Sequence, residues 1–158
     1  GLSPAMLGLG MGSITAGFTF GSFLSGRLAR TRPLRVMMLS GRLVAGAALL
    51  AGLLAFLMGS GSIAVFFTAV ILVGLGNGLT MPSCNAGVMS IRPNLAGSAS
   101  GLAGAMTVGG GAVLTSLTSA LVTTDDGAPM LLGIMLACTV AALLSLAMTR
   151  QVAMRSKA

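Results

Sequence analysis

The sequence predicts an all-α protein, a polytopic bundle of helices embedded in a lipid bilayer. Its mean hydropathy is +1.01, and charged residues make up only 7% of the 158 residues. A soluble domain carries about 25% charged residues, so this chain lacks the polar side chains that would cover a surface in water. It contains five apolar segments of about 20 residues, the length that crosses a bilayer as a helix.

The five predicted spans form one transmembrane domain over residues 1–158, and local signals set their limits. Pro4 suits the first turn of a helix, the glycine–serine stretch 59–62 predicts a turn, and Pro93 precedes the fourth span. Asp125 and Asp126 precede the fifth span, where acidic residues favour a helix N-terminus. The predicted spans are residues 5–26, 36–58, 63–90, 95–122 and 130–148.

The nine basic residues are assigned to alternate connections, which predicts the orientation of the chain. Basic loops stay on the cytoplasmic side of a membrane. We therefore expect a multi-pass protein of the bacterial inner (plasma) membrane, with its N-terminus outside and its C-terminus in the cytoplasm. The net charge of +7 then needs no nucleic acid partner. The first connection is assigned Arg27, Arg30, Arg32, Arg35 and Arg42, the third Arg92, and the C-terminus Arg150, Arg155 and Lys157.

Polar side chains are unevenly distributed among the five predicted helices. The second and fifth helices have few, which predicts that they face lipid. The first, third and fourth carry hydroxyl and amide groups, which are costly in lipid and should turn inward. Pro82 predicts a kink in the third helix. The predicted substrate cavity is lined by Thr15, Thr19, Asn77, Thr80, Asn85 and Thr107; Asn77 and Asn85 could equally bridge helices by hydrogen bonds.

Glycines spaced four residues apart predict close helix packing, because backbones approach each other where side chains are missing. A sliding interface in a moving transporter is a second interpretation of the same pairs. The run of three glycines at 109–111 favours movement, since glycine is a weak helix former. The four pairs are Gly8 with Gly12, Gly17 with Gly21, Gly74 with Gly78, and Gly97 with Gly101.

The residue types that carry catalysis or bind metals are missing from the predicted spans. They contain no Asp, Glu, His or Lys, and proton relays and ion sites in membranes use such groups. Cys84 and Cys138 lie in different spans and form no metal-binding pattern. We expect no enzyme activity, no catalytic residue, no metal and no cofactor.

Two stretches resemble a known family. The segment GRLARTRPLR at 26–35 resembles the second copy of a cytoplasmic loop motif of the major facilitator superfamily, through Gly26, Arg27, Leu28 and Arg35. The segments GNGLTMP at 76–82, RPNLAGSASGL at 92–102 and GGGA at 109–112 are similar to the Bcr/CflA-type drug-resistance branch of that superfamily. The likeness covers essentially the whole chain.

The resemblance implies the C-terminal portion of a major facilitator fold, helices eight to twelve of a twelve-helix carrier. The seven N-terminal helices would be its partner and would hold the proton-coupling acid. The implied function is proton-coupled efflux of small hydrophobic drugs by alternating access. One alternative is a non-transporting membrane subunit or an inactive fragment that packs against a partner. A symporter or uniporter of the same fold is less favoured.

Overall fold

Five long helices make up nearly all of the described chain. The computed structural model describes residues 4–91, 93–121 and 127–155, with side chains over 8–90, 94–121 and 127–148. This part of the chain contains no strand, so the predicted all-α class is confirmed. The helices are α1 (Pro4–Leu28), α2 (Leu34–Leu57), α3 (Ile63–Ile91), α4 (Ala96–Leu121) and α5 (Gly127–Arg155), with a short 3₁₀ turn, Pro93–Leu95, before α4.

The helix limits lie close to those predicted, except at α5, which begins three residues earlier and ends seven residues later than predicted. Four helices are long and apolar enough to cross a membrane: Leu34–Leu57, Ile63–Ser90, Ala96–Leu121 and Gly127–Met148. The chain is therefore a membrane protein. α1 is not among these four. Its crossing of the bilayer stays a prediction.

The turn between α2 and α3 is fixed by backbone hydrogen bonds at the end of α2. The Gly59 N–H donates to Phe56 O at 3.1 Å, and the Ser60 N–H donates to Ala55 O at 3.0 Å. These two bonds form a Schellman motif, which places the residue after the helix in the left-handed region. Gly59 has a φ of 74°, a conformation that glycine adopts without steric cost. This turn lies where the sequence predicts one.

α3 is the central helix, and α1 runs parallel to it at very short distance. Gly17 and Gly78 show how close the backbones are. A Cβ on Gly17 would lie 2.5 Å from the Ile71 carbonyl oxygen, and a Cβ on Gly78 would collide with the Phe18 carbonyl oxygen. Only residues without side chains permit this approach. Four glycines form the contact: Gly17, Gly21, Gly74 and Gly78.

Buried hydroxyl groups join the same two helices near the C-terminal end of α1. The Ser25 hydroxyl donates to the Leu79 carbonyl oxygen at 3.2 Å and lies 3.3 Å from the Ser83 hydroxyl oxygen. Ser25 is 2% exposed and Ser83 is 4% exposed. Buried polar groups need such partners, since an unpaired one costs free energy in an apolar interior. The bonds therefore fix the register of α1 against α3.

The apolar core lies between α2, α3 and α5, which corrects the prediction that α2 and α5 face lipid. Its centre consists of Ala45, Leu49, Ala69, Val73 and Leu132. On α2 the buried residues follow a helical stripe of mostly small side chains, and this stripe packs antiparallel on α3. A Cβ on Gly52, for example, would lie 3.0 Å from the Ala69 Cβ. The stripe comprises Met37, Gly41, Ala45, Ala48, Leu49 and Gly52.

α4 has no buried residue over its described length, which corrects the prediction that it lies inside the bundle with α1 and α3. Four of the hydroxyl groups that motivated this prediction, those of Ser100, Thr107, Thr115 and Thr118, donate within their own helix. Thr107, for instance, donates to the Ala103 carbonyl oxygen at 2.8 Å. Such bonds lower the cost of a hydroxyl in an apolar environment without any neighbouring helix. Polarity alone therefore did not show which helices pack together.

Pro82 lies within α3, and the helix continues through it to Ile91, as predicted for the continuation beyond the proline.

The other two glycine pairs make no close contact. A Cβ built on any of their members would meet nothing within 4 Å. The predicted packing is therefore absent from the described chain at Gly8, Gly12, Gly97 and Gly101.

Candidate functional site

A cavity of about 750 Å³, called here the central cleft, lies between α2, α3, α4 and α5. It combines an apolar lining from α4 and α5 with a small group of polar side chains. The α4 residues that border it recur every three or four positions in sequence, so they lie on one face of that helix. The lining residues are Arg42, Asn77, Gly111, Leu114, Thr115, Thr118, Ser119, Leu131, Ile134, Met135, Cys138 and Thr139.

A second cavity of about 460 Å³, called here the side cleft, lies between α2, α3 and α5. Arg42 lines both clefts, so its side chain stands at their boundary. Thr80 lines the side cleft, is 4% exposed and donates to the Gly76 carbonyl oxygen at 2.8 Å. The side cleft is lined by Met38, Arg42, Thr80, Cys84, Ala142, Ser145 and Leu146.

Arg42 lies inside α2, which corrects its assignment to the first connection. α2 begins at Leu34, so at 1.5 Å per residue Arg42 stands about 12 Å along the helix. Its guanidinium donates from Nη1 to the Asn77 side-chain oxygen Oδ1 at 3.1 Å. Because a guanidinium only donates hydrogen bonds, this contact also fixes the orientation of the Asn77 amide.

Asn77 places this contact at the middle of the membrane-spanning part of the bundle. It is equally distant in sequence from Ile63 and Ile91, the ends of α3, or about 21 Å from each end. The hydrocarbon core of a bilayer is about 30 Å thick. The Arg42 side chain therefore reaches the level of the midpoint of α3.

No carboxylate is available to Arg42 among the described residues. The chain has two acidic residues, Asp125 and Asp126, and both lie outside the described part. A guanidinium carries a positive charge and five N–H donors. Asn77 offers it a neutral acceptor, so the positive charge is hydrogen-bonded but not neutralised within the described chain.

The structure brings together only part of the predicted cavity. Asn77 lines the central cleft and Thr80 lines the side cleft. The other four residues are exposed and line neither cleft; two of them donate within α1, Thr15 to Met11 O at 3.1 Å and Thr19 to Thr15 O at 2.9 Å. The residues outside the clefts are Thr15, Thr19, Asn85 and Thr107.

Sequence reasoning missed several lining residues. Arg42 was grouped with the basic loop, although it falls within the predicted second span. On α4, the spacing of 111, 115, 118 and 119 marks one helical face and was a usable signal.

The predicted loop motif lies at the other end of the helices from the α2–α3 turn, with Arg27 and Arg35 exposed. The side chains of Arg92, Arg150, Arg155 and Lys157 lie outside the described residues.

No protein-family model, curated protein or solved structure matches the chain. The family resemblance therefore rests on the motifs at 26–35, 76–82 and 92–112. The chemistry of the site rests on the two clefts and on the Arg42–Asn77 contact between them.

Proposed function

We propose that this chain is part of a secondary active transporter that exports small, largely apolar molecules in exchange for protons. The central cleft is the observation that carries this proposal. Small-molecule sites are typically cavities of about 300–1,000 Å³ with apolar walls and a few polar groups that orient the ligand. The central cleft has this size and this lining, and its polar contact lies at mid-depth, as in known carriers.

The unequal packing of the helices supports a cleft that opens and closes. α1, α2 and α3 are locked together by glycine contacts in which backbones touch. α4 borders the central cleft, but its glycines at 109–111 have no neighbouring atom within 4 Å of a built Cβ. A helix without close backbone contacts can shift at lower cost than one whose ridges interlock. Alternating access requires one such movable wall.

Proton coupling is proposed to come from residues outside the described bundle. The two acidic residues of the chain lie in the predicted connection before α5, and the chain has no histidine. The resemblance to the drug-resistance branch supports a coupling carboxyl in other helices of the full carrier. Those helices are the proposed partner of this bundle, and they would pack on the exposed surface of α4.

A non-transporting membrane subunit is the second candidate. The exposed surface of α4 favours this subunit as much as it favours a transporter. In that case α4 would pack permanently against a partner, and filling the cleft would leave the function unchanged. The two candidates therefore differ in what a bulky residue in the central cleft does.

The test is accumulation of a hydrophobic fluorescent dye in bacteria that lack their own efflux pumps. The gene is expressed as its complete reading frame. We expect lower dye accumulation than in cells with an empty vector, and restoration of accumulation by a protonophore. Thr115→Phe, which fills the central cleft, should abolish the difference. Ala141→Phe, an exposed position on α5 that lines neither cleft, should keep it. Equal accumulation with and without the gene would contradict transport of this class.

A further inference from the structure

We propose that Arg42 and Asn77 form an oxyanion-binding site at the boundary of the two clefts, and that the ligand of the central cleft is an amphipathic organic anion. The ligand would place a carboxylate or similar oxyanion on the Arg42 guanidinium and an apolar body against α4 and α5. This inference rests on the proposed function for the transported nature of the ligand. The binding site itself is independent of transport.

The depth of Arg42 is the first step. A charged side chain near the middle of a bilayer is costly, and such residues in membrane proteins mark functional sites. A lysine or arginine close to a helix end commonly extends to the surface and keeps its charge in water. Arg42 instead donates to Asn77, which lies at the midpoint of α3.

The missing counter-charge is the second step. Asn77 provides a neutral oxygen, and the described residues include no Asp or Glu. A guanidinium presents its donors as a planar fork that matches the two oxygens of a carboxylate. An anionic ligand would therefore supply the charge that the described chain does not.

The donors inside the central cleft are the third step. Three of its hydroxyl groups already donate to carbonyl oxygens of their own helices: Thr115 to Gly111, Thr118 to Leu114 and Thr139 to Met135, at 2.7–2.9 Å. Their protons are not available to a ligand while these bonds persist. The remaining donors of the lining are the Arg42 guanidinium, the Asn77 amide nitrogen and the Ser119 hydroxyl, and only the guanidinium is charged. The apolar part of the lining comes mainly from Leu114, Leu131, Ile134 and Met135, so one charged donor beside an apolar wall selects an amphipathic ligand.

An oxyanion could come from a soluble organic acid or from the phosphate of an anionic lipid. The mid-depth position favours the organic acid, because lipid headgroups lie at the membrane surface. The test separates the two sources with purified full-length protein in nanodiscs of phosphatidylcholine. The probes are 2-naphthoate and 2-naphthamide, which share the ring system and differ in charge.

We expect 2-naphthoate to bind about tenfold or more tightly than 2-naphthamide, because a hydrogen bond to a charged group contributes at least that much to the binding free energy. Arg42→Gln should remove this preference and Arg42→Lys should retain part of it. Arg32→Gln, which changes an exposed arginine, should leave it intact. Equal binding of the two probes, or a preference that survives Arg42→Gln, would overturn the site. Loss of naphthoate binding in nanodiscs that contain phosphatidylglycerol would assign the site to lipid and overturn the organic-anion ligand.

A second measurement uses the unaltered protein, in case Arg42→Gln fails to fold. Cys138 lines the central cleft and is exposed, so its reaction with N-ethylmaleimide reports occupancy. We expect 2-naphthoate to slow labelling of Cys138 and 2-naphthamide at the same concentration to leave it unchanged; equal rates with both would overturn the site. Dye export without naphthoate binding would contradict the oxyanion-binding site and leave the proposed function standing. Naphthoate binding without dye export would sink only the proposed function.

Discussion

At the scale of single residues, the Arg42–Asn77 hydrogen bond has the largest energetic consequence. It joins the interiors of two helices, and the charged partner has no carboxylate among the described residues. In a medium of low dielectric constant, a charge that loses its acceptor pays the full cost of desolvation. The stability of the bundle should therefore depend on Asn77 more than on any other amide in the chain.

We predict that Asn77→Ala lowers the free energy of unfolding by about 1–3 kcal/mol, because Arg42 loses its acceptor. Asn85→Ala should change it by less than about 0.5 kcal/mol, since Asn85 is exposed and such sites tolerate substitution. The measurement is equilibrium unfolding by steric trapping in lipid bicelles. As a control, Asn77→Ala should cost less in an Arg42→Leu background. Equal losses for the two asparagines would show that the bond contributes nothing.

The residues of the site were only partly predictable for a physical reason. Asn77 and Thr80 were found because an amide or hydroxyl in an apolar segment needs a partner. Arg42 was not found, because its role depends on Asn77, which is 35 residues away. The same arginine would extend to the surface if α3 offered no acceptor at that depth. Thr15 and Thr107 also donate within their own helices, as Thr80 does, but they are exposed and line neither cleft.

At the scale of helices, the α1–α3 contact depends on glycines that allow the two backbones to touch. Gly78 is the clearest case, because a Cβ there would also lie 2.8 Å from the Ser22 nitrogen. The Ser22 nitrogen and the Phe18 carbonyl oxygen are both backbone atoms, so neither can move away as the end of a flexible side chain could. One of the two helices would have to shift to accommodate a methyl group.

We predict that Gly78→Ala destabilises the protein by about 1–3 kcal/mol through overpacking. Gly104→Ala should be neutral or stabilising by up to about 1 kcal/mol, because alanine is the better helix former and a Cβ there meets nothing within 4 Å. The melting temperatures of the purified variants in detergent measure both effects. A Gly78→Ala protein that melts with the wild type would contradict the close approach.

The helices themselves were predictable, but their packing faces were less so. Length and hydropathy predicted both ends of α1, α2, α3 and α4 to within two residues. This is because the thickness of a bilayer fixes how many apolar residues a span needs. The buried stripe on α2 was missed, since Gly41, Ala45 and Gly52 stand among many other small residues. Which small residues are covered depends on the surface of α3. That surface cannot be read from α2.

At the scale of the whole molecule, the helices alternate in direction, as a multi-pass membrane protein requires. α1 runs parallel to α3, and α2 runs antiparallel to both. The connection 29–33, with its basic residues, and the turn 58–62 therefore lie at opposite ends of the bundle. The orientation of these ends in the membrane is a prediction from charge.

We predict that a membrane-impermeant maleimide labels Ser60→Cys in intact cells and labels Arg30→Cys only in inside-out vesicles. Both positions are exposed, so access to the reagent decides the result. The background is the variant with Cys84 and Cys138 replaced by serine. Labelling of both positions in intact cells would refute the alternation of the helices, and the reverse pattern would invert the predicted orientation.

The pairing of α1 with α3 also determines when the bundle is able to form during synthesis. The ribosome produces α1 first, yet the bond from Ser25 reaches Leu79, 54 residues later in the chain. At about 5–20 residues per second, that interval is roughly 3–10 s. Throughout it, the glycine face of α1 has no α3 to pack against. The α1–α3 contact therefore forms only after α3 has been synthesised, which makes it a late step in the assembly of the bundle.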